Sequence, residues 1–431
     1  MKRALVVLVL FLLTIGFLFA GGKQEEPVSG EETMAEESPK VVKVFGAFRD
    51  EEARRFEEAF RSFEEETGID VQYEGSPEFE VQIFVQAEAG TPPDIAALPQ
   101  PGLMKEFAER GFLKTLWPGI IQKIENNYTP AWKDLGAYKG NVYGVFHRVN
   151  AKSFVWYPKK AFEAKGYTVP KTWAELEALS DKIVADGGVP WSITMESGAA
   201  TGWVATDWME DIMLRTAGPD VYDQWVNHEI PFDHPAVKKA AQIMADIWLD
   251  SRYVLGGPTT ILTTYFGDGT FPLFEDPPQA WLHRQGNFII GFMPDDIQAN
   301  VEEEVGVFAL PAIDPKWGIP VLGGGDQFVV FNDTPEVRQF MEFLTTWDAC
   351  KSWAASGGAL FPHQDQDFND YGSAIEMELA KILVNAEVFR FDASDLMPAE
   401  VGAGTFWTGM TDMVSGVPID DVLSNIENSW P

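Results

Sequence analysis

The chain has 431 residues, of which 45% are hydrophobic and 23% charged, a composition typical of globular proteins rather than disordered or fibrous ones. With 32 Lys and Arg against 66 Asp and Glu, its formal charge of −34 excludes electrostatic binding to nucleic acid and argues against docking on an anionic membrane. Self-repulsion at this charge predicts a monomer. The single cysteine, Cys350, allows no internal disulfide.

The first forty residues carry the pattern of an export signal and a spacer. Two basic residues precede an apolar run from Ala4 to Phe19, and small residues follow it, which predicts a signal peptide over residues 1–20. An uncleaved N-terminal anchor is the alternative. Residues 21–40 are acidic and poor in apolar residues, which predicts a flexible linker. We therefore expect secretion across the inner membrane, to the periplasm or the outer face of the cell. Gly21 and Gly22 stand where a lipoprotein would carry its cysteine.

A parallel α/β unit is predicted directly after the linker. The apolar run Val41–Phe45 predicts a strand, and Phe56, Phe60 and Phe63 recur at helical spacing up to Gly68. A second strand follows from residue 69, a helix over 78–89, and a third strand over 94–98. This order of short elements indicates βαβ units. Ligands of open α/β sheets bind beyond the carboxyl ends of the strands, so the loops over 46–50 and 99–102 are candidate ligand loops.

The rest of the chain is predicted to be mainly helical and then mixed. Amphipathic patterns predict helices over 173–185, 207–215 and 236–249. Strand-like runs return over 305–311 and 321–332, and a helical pattern follows over 335–356. Strands and helices thus enclose a largely helical middle, which predicts an α/β fold of two lobes between which the chain crosses more than once.

Catalytic and metal motifs give little signal. None of the serine hydrolase, zinc protease, nucleotide phosphate or dinucleotide fingerprints is present, and the five histidines lack metal-ligand spacing. The helical, apolar context of Cys350 predicts a packed thiol rather than a nucleophile. One acidic stretch has partial calcium-loop spacing, although its sixth position is Asp370 rather than glycine. The candidate calcium ligands, against the alternative of a solvated acidic loop, are Asp365, Asp367, Asn369 and Glu376.

Tryptophans in glycine-rich loops give a more useful signal. Trp203 and Trp208 flank Asp207, and Trp281 and Trp407 also lie in loop-like sequence. Aromatic rings can cover the C–H faces of a pyranose, while carboxylates and guanidinium groups hold its hydroxyls in charge-assisted hydrogen bonds. Simple packing remains the alternative for each tryptophan. The carboxylates and guanidinium considered for the hydroxyls are those of Asp207, Asp326, Arg390 and Asp392.

Several motifs, spread over nearly all of residues 41–431, resemble the extracellular solute-binding proteins (family 1) of sugar-importing ABC transporters. They are most similar to the branch that binds α-glucosides. The segments that carry the resemblance are Gly90-Thr-Pro-Pro-Asp-Ile, Lys152-Ser-Phe-Val-Trp-Tyr-Pro, Val169-Pro-Lys-Thr-Trp-Ala-Glu-Leu, Gly202-Trp-Val-Ala-Thr-Asp-Trp, Val305-Gly-Val-Phe-Ala-Leu-Pro, Gly323-Gly-Gly-Asp, Arg390-Phe-Asp-Ala-Ser-Asp-Leu-Met-Pro and Gly404-Thr-Phe-Trp-Thr-Gly-Met.

The resemblance implies a two-lobed clamp, like the periplasmic binding proteins, whose discontinuous lobes are joined by a hinge. It also implies that the protein has neither catalytic activity nor a cofactor. Lobe one would comprise residues 41–149 and 303–360, and lobe two residues 150–302 and 361–431. A neutral mono-, di- or oligosaccharide, of the α-glucoside type or glucose, would bind between the lobes. Closure of the hinge would then signal to the permease subunits of the transporter.

Thirteen residues are expected to bind the sugar, and the two lobes contribute to the set. From lobe one they are Phe48, Arg49, Gln100, Gly324, Gly325 and Asp326. From lobe two they are Trp203, Asp207, Trp208, Trp281, Arg390, Asp392 and Trp407. The tryptophans would stack on sugar faces and the charged groups would hold hydroxyls.

Two other functions fit parts of the sequence. A secreted glycoside hydrolase needs only a pair of carboxylates flanking the bond, and an acidic chain offers many. A binding protein for an amino acid, a peptide or a cation would use fewer stacked rings and a compensating charge.

Overall fold

A computed structural model describes residues 40–384, 386 and 388–431. The predicted signal peptide (1–20) and linker (21–40) lie outside this range except for Lys40. The strands of the described part, in chain order, are β1 (Val41–Gly46), β2 (Asp70–Gly75), β3 (Ile95–Leu98), β4 (Ala137–Tyr138), β5 (Asn141–Val142), β6 (Gly144–Ala151), β7 (Phe154–Pro158), β8 (His283–Gln285), β9 (Val305–Ala309), β10 (Val321–Val330) and β11 (Phe389–Phe391).

Helices surround these strands and fill the middle of the chain. They are α1 (Asp50–Ala59), α2 (Arg61–Thr67), α3 (Phe79–Glu88), α4 (Pro101–Glu109), α5 (Pro118–Asn127), α6 (Pro130–Leu135), α7 (Lys159–Ala164), α8 (Trp173–Ala185), α9 (Trp203–Ala217), α10 (Pro219–Val226), α11 (Pro235–Trp248), α12 (Gly257–Thr263), α13 (Asp295–Gln298), α14 (Val301–Glu304), α15 (Pro335–Leu344), α16 (Lys351–Ser356), α17 (Ala374–Val384), α18 (Ala393–Leu396), α19 (Trp407–Val414) and α20 (Ile419–Glu427).

The larger sheet contains the βαβ units that the sequence predicts. Strand β1 pairs in parallel with β2 on one side and with β3 on the other. The long strand β10 then pairs antiparallel with β3 and β6, and parallel with β11. The register between β10 and β6 shifts between Asp326 and Gln327. Such an irregularity bends a strand and re-aims its side chains, and Asp326 at this point lines a cavity beside the larger sheet.

The buried apolar residues of the described part form three clusters; two of them pack on the larger sheet and are together termed the first core, and the third is termed the second core. The first surrounds the larger sheet, whose central strands are apolar on both faces, as parallel strands covered by helices require. The second is built mainly by the helices between 159 and 261 and by α19 and α20. The chain first reaches the second core at Val155 in β7, whose neighbours Phe154 and Trp156 pack in the first core. After a return to the first core, it passes to the second between Phe391 and Ala393.

The packing of residues 361–391 differs from the predicted lobe division. That division assigns residues 361–431 to lobe two, whereas Phe361, Leu379 and Phe391 pack in the first core. Strand β11 also joins the larger sheet. Because this segment is buried against the first core, we propose that the boundary between the lobes lies after Phe391. The elements around the first core are termed the first lobe and those around the second core the second lobe.

Cys350 is a packed thiol, as its sequence context indicates. It is buried in the first core, where its Sγ lies 3.7 Å from Nε2 of His147. Burial raises the pKa of the thiol, so it is un-ionised at neutral pH. Within the described residues, no helix combines the length and apolarity that crossing a membrane requires.

Candidate functional site

A cavity lies where the carboxyl ends of β1, β2 and β3 face elements of the second lobe. Ala47–Glu52 follow β1, Ser76 and Pro77 follow β2, and Pro99 and Gln100 follow β3. This is the edge of the sheet at which the sequence analysis expects a ligand. From the second lobe, aromatic and acidic side chains complete the wall.

Eight of the thirteen predicted site residues line this cavity: Phe48, Arg49, Gln100, Trp203, Gly325, Asp326, Asp392 and Trp407. They come from six separate segments, so the tertiary fold brings together residues far apart in the chain. Their participation in ligand binding stays a prediction, since lining a cavity shows only that they are available to a ligand.

The remaining predicted tryptophans belong to the second core. Trp208 is 1% exposed, and its ring packs edge-on against Trp191 and Trp248 at centroid distances of 5.2 and 5.9 Å. Trp281 packs edge-on against Tyr167 at 5.0 Å. Helical periodicity explains the first case: Trp208 and Trp203 are five residues apart on α9 and therefore point in different directions. We withdraw both Trp208 and Trp281 from the proposed sugar site.

The other three predicted residues lie beside the cavity or away from it. Arg390 forms a bidentate ion pair with Asp223, at 2.6 and 2.8 Å, on the partly exposed side of β11. Asp207 lies behind the cavity wall, where its Oδ1 accepts a hydrogen bond from Lys152. A Cβ atom on Gly324 would come within 3.0 Å of Cε of Lys152. The expected direct contacts of these three with sugar are therefore withdrawn too.

The sequence analysis missed several lining residues. Among them are Glu52, Glu80, Arg148, Asn150, Lys152, Tyr265, Phe266, Phe288 and Asp395. Lys152 and Asp395 lie within two of the eight segments that carry the family resemblance, so those segments already contained a usable signal. Arg148 and Asn150 lie two residues apart on β6, all of whose residues are buried, and such a strand gives no sequence cue to which polar residue reaches a ligand.

Aromatic rings form one wall of the cavity. The ring of Trp203 packs edge to face against that of Phe266, with 5.1 Å between the ring centroids, and its centroid lies 5.9 Å from that of Phe288. The indole nitrogen of Trp407 donates a hydrogen bond to Oγ of Ser394 at 3.2 Å, which holds its ring at the cavity. The guanidinium of Arg49 lies 5.2 Å from the ring centroid of Tyr265, a cation–π distance.

Polar groups of the cavity lining are held in pairs. Arg148 donates to Asp326 at 2.9 Å and also to Glu52, and its guanidinium covers Phe48 at 4.5 Å. Nε2 of Gln100 donates to Glu80 at 3.2 Å. The side-chain oxygens of Gln100 and Asn150, both on cavity-lining residues, have no hydrogen-bond partner among the described residues. A buried unpaired oxygen is costly unless a ligand or water supplies a donor.

A buried cation joins the cavity to the second core. Nζ of Lys152 donates to Oδ1 of Asp207 at 2.8 Å and to Oδ2 of Asp392 at 2.6 Å. Burial raises the pKa of Asp207 well above its usual value, with Asp392 adding to the effect. Burial also acts to raise the pKa of Asp392, but the Lys152 charge and several hydrogen bonds hold it below the usual value. Burial raises the pKa of Asp395, which favours its protonated form.

The structure does not bring the predicted calcium ligands together. The carboxylate of Glu376 accepts hydrogen bonds from the backbone nitrogen of Gly358 and the hydroxyl of Ser373, and Asp367 caps its own turn at Asn369. Within the described part, one group of three acidic side chains is close enough to share an ion: Asp207, Glu210 and Asp392. The ammonium of Lys152 already contacts two of these, so we assign no metal to either place.

Comparison with known proteins identifies the family. Residues 49–349 match the family described as bacterial extracellular solute-binding protein. The chain belongs to that family. It is 45% identical over 397 residues to the osmoprotective compounds-binding protein GgtB of Synechocystis sp., covering 92% of this chain and 94% of GgtB. It is 40% identical over 399 residues to the alpha-glucosides-binding periplasmic protein AglE of Rhizobium meliloti, covering 90% and 87%.

Solved structures agree on the fold. The solute receptor AcbH superposes with a TM-score of 0.80 at 19% identity, covering 91% of this chain and 98% of AcbH. Maltose-bound MalE3 of T. maritima superposes with a TM-score of 0.71 at 20% identity, covering 90% and 98%. The two-lobed α/β clamp and the family resemblance read from the motifs are thereby confirmed. This member of a solute-binding family is a binding protein rather than an enzyme.

Proposed function

We propose that this protein binds a neutral α-glucoside of one or two sugar rings between its lobes and delivers it to the permease of an ABC importer. The observation that carries the proposal is the cavity itself. The rings of Trp203 and Trp407 line it together with charged groups such as Asp326 and Asp392. Aromatic faces suit the C–H faces of a pyranose, and charged groups suit its hydroxyls.

The electrostatics of the cavity favour a neutral ligand. Carboxylates outnumber cationic groups in its lining, and the cationic side chains of Arg148 and Lys152 are already paired with carboxylates. A sugar acid or sugar phosphate would bring a further negative charge into this acidic site, where the remaining cationic group of the lining, that of Arg49, lies over the ring of Tyr265. Burying such a charge is costly where two of the three cations already have carboxylate partners. The unpaired oxygens of Gln100 and Asn150 call instead for hydroxyl donors.

The relatives support the same ligand class. AglE is named for binding alpha-glucosides and GgtB for binding osmoprotective compounds. Both match nearly the whole length of the chain, so the cavity-forming segments are included in the similarity. We carry over from them an α-glucoside ligand, a position outside the cytoplasmic membrane and a permease partner.

Capture would involve the two lobes moving around the ligand. Arg49 and Pro77 extend from the first lobe and contact the second beside the cavity, through the Arg49–Tyr265 pair and a 3.3 Å hydrogen bond from the Ala199 nitrogen to the Pro77 carbonyl. A ligand that touches both lobes favours the conformation in which such contacts form. Closure of this kind would present a distinct surface to the permease.

Isothermal titration calorimetry on the purified protein tests the ligand class. The panel consists of trehalose, maltose, sucrose and glucose, with a mixture of amino acids and Ca²⁺ as competing classes. We expect heat of binding and a raised melting temperature with at least one α-glucoside, and neither with amino acids or Ca²⁺. An absence of heat with every sugar would contradict the proposal. Release of glucose from a disaccharide would instead indicate a hydrolase.

A further inference from the structure

The lysine at the crossing between the lobes has a spare hydrogen-bond donor. Lys152 follows β6 at the point where the chain leaves the first core, and it is 6% exposed. An ammonium group carries three N–H bonds. Two of them point to Asp207 on α9 and to Asp392 immediately before α18. Among the residues that the structure describes, no third acceptor lies within hydrogen-bond distance of this nitrogen.

The side chains around Lys152 leave room for a ligand on that third side. Lys152 and Asp392 both line the cavity, and the Lys152 nitrogen lies 5.4 Å from the ring centroid of Trp203. Gly324 passes beside the lysine stem, and a side chain at that position would crowd Cε. The ammonium is therefore held from behind by carboxylates and flanked by an indole ring, next to the cavity.

We infer that Lys152 donates its third N–H bond to one hydroxyl oxygen of the bound sugar and so selects the position of that hydroxyl. The inference rests on the proposed function, because it requires a hydroxylated ligand in this cavity. Asp392 lies 2.6 Å from the same nitrogen, so the selected hydroxyl can accept from Lys152 and donate to Asp392. A hydroxyl satisfies both partners at once, whereas a hydrogen or a charged group at that position does not.

Asp207 acts in this arrangement as a positioning residue. It is fully buried behind the wall, and its contact with the cavity runs through Lys152. Without the hydrogen bond from Lys152 to this carboxyl group, the ammonium would keep one partner and gain freedom to turn toward Asp392 alone. The selection of one hydroxyl would then weaken even though every ligand-contacting residue is still present.

The test combines variants of the protein with variants of the ligand. The α-glucoside that the unaltered protein binds best is compared with its monodeoxy and monodeoxyfluoro analogues by calorimetry. We expect one deoxy position to cost about 10- to 100-fold in affinity, the range for hydrogen bonds to charged groups. In Lys152→Met, the penalty at that position should fall to within about twofold, while the penalties at other positions persist. Unchanged penalties at every position would overturn the inference.

Folding of the variant needs its own safeguard, because Lys152→Met leaves two buried carboxylates without their cation. Lys152→Met combined with Asp207→Asn lowers that charge, and Lys152→Arg retains a cation of different geometry. The same analogue series is measured on whichever variants melt cooperatively. We expect the double variant to have lost the penalty at the selected position and Lys152→Arg to have shifted or reduced it. Either variant keeping the full penalty at that position would overturn the inference.

Asp207→Asn alone tests the positioning role, with Glu376→Gln as its matched control. Both replace a buried carboxylate by its amide, but Glu376 contacts Gly358 and Ser373 in the first lobe. We expect Asp207→Asn to reduce the penalty at the selected position, and Glu376→Gln to leave all penalties unchanged. A full penalty in Asp207→Asn would show that Asp207 serves stability only. If the unaltered protein binds no sugar at all, the proposed function fails first, and that outcome is separate from these.

Discussion

Two tryptophans on one helix should respond in opposite ways to truncation. Trp203 begins α9 at the cavity, whereas Trp208 lies in the second core against Trp191 and Trp248. Trp208→Ala should therefore destabilise the fold and leave sugar affinity unchanged. Trp203→Ala should weaken sugar binding by about thirtyfold or more, corresponding to the roughly 2 kcal/mol typical of an aromatic anchor in a buried pocket.

The size of the Trp208 effect follows from its burial. Trp208 is 1% exposed, and a buried aromatic side chain removes about 150–250 Å² from water, equivalent to about 4–6 kcal/mol. Measured truncations of buried aromatic residues to alanine cost about 3–5 kcal/mol, so we take about 4 kcal/mol. For a folded body of roughly 390 residues, the entropy of unfolding is about 0.8 kcal/mol per kelvin, which makes the drop in Tm about 5 °C.

Differential scanning calorimetry and titration of the same preparations check both variants. The reasoning predicts a lower Tm with unchanged Kd for Trp208→Ala, and a weaker Kd with a nearly unchanged Tm for Trp203→Ala. If Trp208→Ala instead kept its Tm and lost more than tenfold in affinity, the assignment of Trp208 to the core would be refuted. That result would restore the prediction from sequence that it stacks on the sugar.

Three further predictions concern pH, backbone and surface. Burial lowers the pKa of His283 to about 4 from 6.5. The contribution of the neutral imidazole to the free energy of unfolding is therefore complete above pH 6.5 and is lost as the pH falls toward 4. Between these pH values, chemical denaturation should show His283→Gln losing about 3 kcal/mol less stability than the unaltered protein. Gly202 has φ of 123°, and a Cβ there would lie 2.3 Å from the Trp407 carbonyl oxygen, so Gly202→Ala should lower both Tm and sugar affinity; retention of both would contradict the packing. Arg390→Ala removes a partly exposed ion pair with Asp223 and should cost at most about 1 kcal/mol with Kd unchanged; a tenfold weaker Kd would return Arg390 to the site.

Predicted site residues that follow a strand of the larger sheet all line the cavity, although their contact with a ligand stays a prediction. Phe48, Arg49 and Gln100 lie in loops at the carboxyl ends of β1 and β3 and line the cavity, and the topology of parallel strands alone leads to that expectation. Trp208 and Trp281, by contrast, pack in the second core. A tryptophan near glycines can equally be a core residue, and its direction depends on where its helix or loop packs.

Periodicity, turn residues and motifs in the sequence were enough to determine the α/β class, the βαβ start and the family. These features are local or are carried by contiguous motifs. The tertiary structure alone decided which charged groups share the cavity and which support it from behind. Lys152, Asp207 and Asp392 are separated by up to 240 residues, yet a carboxylate oxygen of each aspartate lies within 2.8 Å of the lysine nitrogen. Burial and pairing, which set the charge of such groups, exist only once the two lobes have packed.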